Sequence, residues 1–180
     1  MKTIITGGAG FIGSHLVEKL IEFDHEIVVL DNFSTGRLEN ILKFKNKIKV
    51  INCDISIKGD WVNEFKNSDW VLHTAALADI VPSIQKPEDY FKSNVIGTFN
   101  IVEESKKNKI RKLIYLASGS CYGIPDEFPT SELAPINTEY PYALTKYLGE
   151  CLVLNWFKIY KLPAISLRLF NVYGTRSRTS

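Results

Sequence analysis

The sequence predicts an α/β fold built on a doubly wound parallel sheet. Short strands rich in Ile, Val and Leu alternate with helical patterns, a glycine-rich turn joins the first strand to the first helix, and a carboxylate ends the second strand. Apolar runs of this kind are typical of strands covered on both faces, and the alternation implies right-handed crossovers. The predicted strands are Thr3–Ile5, Glu26–Leu30, Ile48–Ile51, Trp70–His73, Lys112–Leu116 and Ala164–Leu169. The predicted helices are Phe11–Phe23, Leu38–Phe44, Lys58–Lys66, Pro87–Asn108 and Tyr140–Tyr160.

The first strand passes into a glycine-rich turn, and an amphipathic stretch follows at once. Glycines at 7, 10 and 13 form a Gly-x-x-Gly-x-x-Gly pattern in the strand–turn–helix context that gives the pattern meaning. Gly7 permits a sharp turn, Gly10 has no side chain to obstruct a pyrophosphate, and Gly13 allows close packing of helix on strand. The helix N-terminus offers free N–H groups and a partial positive charge to phosphate. The alternative interpretation is a glycine-rich turn without a ligand.

The second strand ends in Asp31, which lies 18 residues after Gly13. This is close to the spacing of about 20 at which dinucleotide-binding folds place an acidic residue against the adenosine ribose. The carboxylate would repel the 2′-phosphate of NADP, so the sequence favours NAD. Two alternatives stay open: the loop Ser34–Gly36 with Arg37 is able to hold a 2′-phosphate, and Asp31 is able to serve only as a turn or cap residue.

The later strands also end in informative residues, because ligands of such sheets bind beyond the carboxyl ends of the strands. Asp54 follows the third strand and is a candidate for contact with adenine or, equally, for capping the next helix. Ala75 and Ala76 follow the fourth strand and leave room for a cofactor. His73, which precedes them, is interpreted as a structural histidine.

Tyr142 and Lys146 are four residues apart on the fifth predicted helix, so their side chains share a face. A free tyrosine has a pKa near 10, and a neighbouring ammonium lowers it by stabilising the phenolate. The pair is therefore a candidate general base. Ser118, at the tip of the fifth strand, is able to supply a hydroxyl that orients a substrate. Tyr140 has Leu144 at the position four residues on and is not assigned the base role.

Composition narrows the function classes. The 180 residues fit one domain over 1–180, with 45% hydrophobic and 23% charged residues. A net charge of +2 gives no case for a nucleic-acid partner, and no apolar run approaches the ~20 residues that span a membrane. The first residues form a core strand, so no signal peptide is expected. Cys53, Cys121 and Cys151 are widely spaced, which predicts no disulfide framework, no metal site and a reducing, cytoplasmic location.

In combination, these features resemble the extended short-chain dehydrogenase/reductases, in particular the NAD-dependent nucleotide-sugar epimerase/dehydratase family. The resemblance covers essentially the whole chain, and the motifs are specific as an ordered set. They are Thr6–Gly13, Asp31 with Asn32, Asp54, His73–Ala76, Ser83 with Pro87, Asn94 with Gly97 and Thr98, Ser118 with Tyr122 and Gly123, Pro141–Lys146, and Leu167–Gly174.

The resemblance implies a Rossmann-type NAD-binding fold and a role for each matching residue. The implied cofactor-binding residues are Gly7, Gly10, Phe11, Ile12, Asp31, Asn32, Ser34, Thr35, Gly36, Asp54, Ile55, Ala75, Ala76, Ala117, Tyr142 and Lys146. The implied catalytic residues are Ser118, Tyr142 and Lys146, and the implied substrate-binding residues are Ser83, Ser118 and Asn171.

Within the family, dehydratases carry an Asp-Glu pair directly after the catalytic Ser or Thr. Gly119 and Ser120 occupy these places here, and neither provides a carboxylate. The resemblance therefore favours a nucleotide-sugar 4-epimerase, with Tyr142 as the base and a transient 4-keto sugar. The alternatives are a 4,6-dehydratase or 4-reductase of the same family, or a non-catalytic NAD-binding module.

Two further expectations come from the resemblance. Family members are usually longer, and their C-terminal part forms a lobe that grips the sugar nucleotide, so we expect that lobe to be absent or truncated after residue 180. Family members also pair two long helices across a dimer axis. The matching helices are Pro87–Asn108 and Tyr140–Tyr160, which implies a homodimer.

Overall fold

The computed structural model, which describes residues 1–177, contains one six-stranded sheet in which every neighbouring pair of strands is parallel. The spatial order is β3-β2-β1-β4-β5-β6. The strands are β1 Lys2–Thr6, β2 Glu26–Asp31, β3 Ile48–Asn52, β4 Trp70–His73, β5 Lys112–Ser118 and β6 Ala164–Leu169. The predicted fold class is confirmed, and every predicted strand is present within two residues of its predicted ends.

Helices connect the strands and cover the sheet. They are α1 Phe11–Ile21, α2 Ile80–Gln85, α3 Pro87–Tyr90, a π-helix at Phe91–Ile96, α4 Gly97–Lys107 and α5 Pro141–Tyr160. Short 3-10 helices occupy Leu38–Asn40, Leu42–Phe44, Asp60–Phe65 and Gly119–Tyr122. No helix within residues 1–177 is long and apolar enough to cross a membrane.

Three helix predictions were wrong in detail. The segments predicted as helices at 38–44 and 58–66 form 3-10 turns, because each is too short to gain from the propagation of an α-helix. Helix α2 was not predicted, although Pro82 lies in its first turn, where a missing N–H costs no hydrogen bond. The predicted helix 87–108 is interrupted by the π-helix.

The core has two sides because successive strand residues point to opposite faces of the sheet. On one side, Ile4 packs in a cluster with Ile101 of α4 and Val153 of α5. On the other side, Ile5 packs in a cluster with Val17 of α1. The sheet is thus covered on both faces at its centre.

The edge of the sheet formed by β6 is covered on one face only. Ser166 and Arg168 of β6 bond to Glu150 of α5. Ile165 and Leu167, which point to the opposite face, are 47% and 39% exposed. This leaves apolar sheet surface in contact with solvent at β6.

Helix α5 approaches β5 very closely at Gly149. A Cβ atom at this glycine would overlap the hydroxyl of Tyr115 and lie 2.9 Å from its Cζ. The Tyr115 hydroxyl donates to the carbonyl of Lys146 at 3.1 Å. The absence of a side chain at Gly149 therefore fixes the distance between the sheet and the face of α5 that carries Lys146.

Candidate functional site

A cleft of about 260 Å³ opens at the carboxyl ends of the central strands, beside the point where β1 and β4 lie next to each other out of chain order. This is where doubly wound sheets bind ligands. Predicted cofactor-binding residues that line it are Gly7, Gly10, Phe11, Ile12, Asp31, Asn32, Ser34, Thr35, Gly36, Asp54, Ile55, Ala75 and Ala76. Ala117, Tyr142 and Lys146 are not part of its lining. Other residues line the cleft without having been predicted to bind the cofactor, among them Cys53, Thr74, Leu77, Ala78 and Ser93.

The glycine turn forms one wall of the cleft. Gly7 has a φ of +68°, and a Cβ there would lie 2.7 Å from the backbone of Ala75. A Cβ at Gly13 would overlap the carbonyl oxygen of Gly7. Gly10 precedes α1 in an extended conformation, and no acidic residue occupies the first turn of that helix. The turn therefore presents the helix N-terminus to the cleft without a negative charge, which suits a pyrophosphate.

Asp31 lines the cleft beside the glycine turn and holds a rigid carboxylate there. One oxygen accepts the backbone N–H of Ala9 at 2.9 Å, and the other accepts that of Phe33 at 2.8 Å. The residue is 7% exposed, and a Cβ at Gly36 would come within 3.0 Å of both carboxylate oxygens. The carboxylate is thus held in one orientation while keeping lone pairs for a ribose hydroxyl.

Asp54 lies at the tip of β3 and has a local partner as well as a place in the cleft. Its Oδ1 accepts the Ser56 hydroxyl at 2.6 Å and the Ser56 N–H at 2.9 Å. Burial acts to raise the pKa of Asp54, but the bonds from Ser56 and the nearby Lys92 ammonium outweigh it and lower the pKa. Asp54 both caps its turn and lines the cleft, so the two sequence interpretations are compatible.

Tyr142 and Lys146 lie in the first two turns of α5, on one helix face, as the spacing of four predicts. The Tyr142 ring packs edge-on against Tyr90, with centroids 6.4 Å apart. Lys146 is 4% exposed, and its Nζ lies 4.4 Å from the centroid of the Tyr115 ring. Burial lowers the pKa of Lys146 to about 7, although the charge of Glu150 acts to raise it. The Lys146 side chain is therefore able to exchange a proton near neutral pH, between ammonium and neutral amine.

The glycine turn, the fixed carboxylate and the Tyr–Lys pair agree with what a comparison with known proteins finds. The model of the NAD dependent epimerase/dehydratase family matches residues 3–180. The chain belongs to this family. NAD is the cofactor of the family, and the glycine cradle and the Asp31 carboxylate fit its pyrophosphate and its unphosphorylated ribose.

Individual relatives agree with this assignment. A protein of Methanocaldococcus jannaschii named as a putative UDP-glucose 4-epimerase is 41% identical over 96% of this chain and 56% of its own. The UDP-N-acetylglucosamine 4-epimerase of Methanobrevibacter ruminantium superposes with a TM-score of 0.92 at 33% identity, over 97% of this chain and 56% of that one. The dTDP-glucose 4,6-dehydratase DesIV of Streptomyces venezuelae, solved with NAD, gives 0.93 at 26% identity, over 98% and 58%. The chain thus spans little more than half the length of these relatives.

An ion pair between Glu150 and Arg168, which was not predicted from the sequence, holds α5 against β6 in this epimerase/dehydratase family member. Glu150, which is 3% exposed, accepts from Arg168 Nη2 at 2.6 Å and Nε at 3.0 Å and from the Ser166 hydroxyl at 3.0 Å. Arg168 also donates to the Tyr122 hydroxyl at 2.6 Å. Carboxylate bonding raises the pKa of Arg168. The network connects α5, β6 and the turn after β5. In the sequence, the only indication of it was that Glu150 lies four residues after Lys146 and so shares its helix face.

His73 has both ring nitrogens engaged inside the sheet. Its Nδ1 lies 2.6 Å from the Thr6 hydroxyl, and its Nε2 lies 2.9 Å from the Thr98 hydroxyl. Burial lowers the pKa of His73 to about 3, and the nearby Lys146 adds to the effect, so the ring is neutral. This geometry supports the structural interpretation of the residue.

The two remaining substrate-binding predictions lie apart from the cleft. Ser83 is fully buried in α2, where its hydroxyl donates to the carbonyl of Ile80 at 2.6 Å. Asn171 is exposed, two residues beyond β6. The structure brings neither side chain to the cleft lining, and both assignments stay predictions.

Replacement of Asp31 by asparagine is expected to change the choice of cofactor. The amide keeps the size of the side chain, but it loses one backbone hydrogen bond and the charge that opposes a 2′-phosphate. We expect the Kd for NAD⁺ to rise about tenfold, which is ~1.4 kcal/mol, and the Kd for NADP⁺ to fall relative to it. Isothermal titration of both cofactors measures the ratio. Asp126→Asn, in an exposed loop, is the control, and an unchanged ratio in Asp31→Asn would contradict the assignment.

Burial of Lys146 predicts a stability that depends on pH. As the pH rises through about 7, the folded chain progressively releases the Lys146 proton, whereas the unfolded chain retains it up to its ordinary pKa of 10.5. The free energy of unfolding therefore rises with pH, by about 1.4 kcal/mol per unit from this group. Urea titrations at pH 7.5, 8.0 and 8.5 without cofactor are expected to show a shallower slope for Lys146→Met. Lys58→Met, at an exposed site, should keep the wild-type slope, and equal slopes in all three proteins would refute the argument.

Proposed function

We propose that the chain is the cofactor and catalytic part of an NAD-dependent nucleotide-sugar 4-epimerase, which inverts C4 of a nucleoside diphosphate hexose. The observation that carries the proposal is the turn after Ser118. Gly119 and Ser120 follow it, so no carboxylate is available there to remove the C6 hydroxyl as water. The Tyr142–Lys146 pair remains as the acid–base machinery, and relatives named UDP-glucose 4-epimerase support the same activity.

The proposed chemistry is a transient oxidation at C4. Tyr142, as phenolate, accepts the proton of the C4 hydroxyl, and Lys146 stabilises that phenolate by its positive charge. When bound, NAD would supply the hydride acceptor and donor for this oxidation and its reversal, and the 4-keto sugar would turn over in the pocket between the two. Tyr142 then gives the proton back to the C4 oxygen. Ser118 directs its hydroxyl at this oxygen throughout, and the walls of the site keep water from the keto sugar.

We further propose that the cofactor lies along the cleft from Asp54 past the glycine turn and extends beyond the cleft lining to Tyr142. Asp31 would bind the adenosine ribose, and the turn at Gly10 would bind the pyrophosphate. Ala117, beside Ser118 in β5, would lie against the nicotinamide end, where Tyr142 and Lys146 contact the second ribose.

The grip on the sugar nucleotide is proposed to come from a segment that covers the open face of β6. Apolar side chains are exposed along this edge and just beyond it: Ile165, Leu167, Phe170, Val172 and Tyr173. Contiguous apolar surface of this kind marks a site of contact with other protein. A second lobe, comparable to the additional length of the relatives, fits the surface and would complete the substrate pocket.

A second candidate function follows from the dehydratase relative. DesIV is as similar in backbone as the epimerases. A 4,6-dehydratase or a 4-reductase of the same family would therefore also fit the fold. Either would release a product other than the C4 epimer, and a non-catalytic NAD-binding module would release none.

Replacement of Tyr142 by phenylalanine tests the proposed base. The chain with NAD⁺ is incubated with UDP-, dTDP- and GDP-hexoses, and the anomeric and C4 proton signals are followed by NMR. We expect a C4-inverted sugar from the wild type and a rate lower by a factor of ~10²–10⁴ for Tyr142→Phe, because the general base is lost. Tyr140→Phe is the matched control. Tyr140 is the residue that precedes α5, and no lysine lies four residues after it.

The outcomes separate the candidates. A 4-keto product would replace the epimerase by the second candidate, and equal rates in Tyr142→Phe and Tyr140→Phe would remove Tyr142 from the reaction. NAD⁺ binding without turnover of any sugar is the result expected of a non-catalytic NAD-binding module or of an epimerase that needs the proposed second lobe.

We also infer that the protein is a homodimer and that it works in the cytoplasm. Helices α4 and α5 pack on each other through Phe99 and Trp156, whose ring centroids are 5.8 Å apart. Their outward sides carry exposed apolar residues, among them Phe99, Leu154 and Phe157. An apolar two-helix surface supports self-association. The cytoplasm is supported by three unpaired cysteines, of which Cys151 is exposed.

A charge on the two-helix surface is expected to prevent dimer formation. Light scattering after size exclusion should give twice 20.4 kDa for the wild type and 20.4 kDa for Phe157→Lys. Leu42→Lys places the same charge at a comparably exposed apolar residue near the other edge of the sheet and should leave the mass unchanged. A wild-type mass of 20.4 kDa would contradict the dimer.

A further inference from the structure

Two serine hydroxyls meet at the tip of β5. Ser118 ends the strand, and Ser120 lies in the 3-10 turn that follows. Their Oγ atoms are 2.8 Å apart, and the backbone N–H of Ser120 donates to Ser118 Oγ at 3.2 Å. In the part of the chain that the structure describes, Ser118 Oγ is the one hydrogen-bond partner of Ser120 Oγ. The two side chains are therefore paired with each other.

The turn that carries Ser120 is fixed from two sides. A Cβ at Gly119 would lie 3.0 Å from the ring of Phe170, so the turn packs tightly against the segment after β6. Tyr122 stacks on the same ring with an interplanar angle of 17° and accepts from Arg168 at 2.6 Å. Because these contacts hold the turn in place, the two hydroxyls meet in a preorganised arrangement.

The capacity of a hydroxyl decides what this contact does. A serine has one hydrogen to donate and two lone pairs to accept with. The Ser120 N–H uses one lone pair of Ser118. If the Ser120 hydroxyl donates into the other, Ser118 has no acceptor left and its hydrogen is free. If instead Ser118 donates to Ser120, its hydrogen is already used, and Ser118 is able to act toward a substrate only as an acceptor.

We propose that Ser120 donates to Ser118 and so makes Ser118 an obligate hydrogen-bond donor toward the oxygen of the reacting carbon. The proposal rests on the proposed function, in which this oxygen alternates between a hydroxyl and a ketone. A ketone oxygen only accepts, so a Ser118 held as donor fits the 4-keto state and strengthens as negative charge develops on the oxygen. Ser120 acts through Ser118 and is a positioning residue.

A double-mutant cycle tests the proposal on the full chain with NAD⁺ and the sugar nucleotide that it turns over. Ser120→Ala is expected to lower kcat about tenfold, the worth of one net hydrogen bond, with little change in KM or in the Kd for NAD⁺. Ser120→Thr keeps a hydroxyl and should restore most of kcat. Because Ser120 acts through Ser118, the double variant Ser118→Ala, Ser120→Ala should be no slower than Ser118→Ala alone. Independent, multiplying losses would overturn the proposal.

The direction of the bond is measurable without turnover. Neutron diffraction of the deuterated chain with NAD⁺ bound locates the hydroxyl deuterium between the two Oγ atoms. Deuterium on Ser120 supports the proposal, and deuterium on Ser118 pointing at Ser120 overturns it. Absence of sugar turnover in the wild type would bear on the proposed function and on its need for the second lobe, whereas this second measurement still decides the role of Ser120.

Discussion

The contact between Gly149 and Tyr115 sets the geometry on which the site depends. Helix α5 lies close enough to β5 for the Tyr115 hydroxyl to reach the Lys146 carbonyl, and the Lys146 ammonium lies over the Tyr115 ring. Burial at this depth costs the charged lysine more than a cation–π contact, worth ~2 kcal/mol when desolvated, is able to return. The pKa of Lys146 consequently falls to about 7. A larger residue at 149 would move the helix outward and readmit water to the lysine.

A buried polar network extends this constraint to the cleft. Asn94, in the π-helix, bonds through its side chain to the backbone N–H and carbonyl of Leu77 at 2.8 and 3.0 Å and to the Thr145 hydroxyl of α5 at 3.1 Å. Leu77 lines the cleft, and Thr145 is next to Lys146 in the chain. The wider π turn thus connects the cleft to the helix that carries Tyr142 and Lys146, in keeping with the occurrence of such turns at functional sites. An apolar residue at 94 would remove the side-chain partner of the partly buried Leu77 N–H and carbonyl.

The sequence was sufficient for the sheet and the cleft because their signals are local. Apolar runs define the strands, and the glycine turn and Asp31 lie within one βαβ unit, so spacing alone brings them together. The Glu150–Arg168 pair and the Ser118–Ser120 contact were not predicted as interactions. The first joins residues of different elements, and the second depends on the dihedral angles of a 3-10 turn, which no spacing rule specifies. Helix α2 escaped prediction because Pro82 and Pro87 obscure a pattern of only six residues.

The choice between NAD and NADP is decided by where charge is fixed. Asp31 is buried and bound by two backbone N–H groups, whereas the Arg37 side chain is exposed to solvent. A charge pair 4 Å apart interacts by ~4 kcal/mol near a protein surface and by ~1 kcal/mol in bulk water. With the adenosine ribose at Asp31, as proposed, repulsion between Asp31 and a 2′-phosphate would exceed the attraction that a solvated Arg37 supplies, and Arg37 would also lose side-chain entropy on binding. The loop Ser34–Gly36 with Arg37, which left NADP as an alternative in the sequence, would therefore not offset the repulsion from the Asp31 carboxylate.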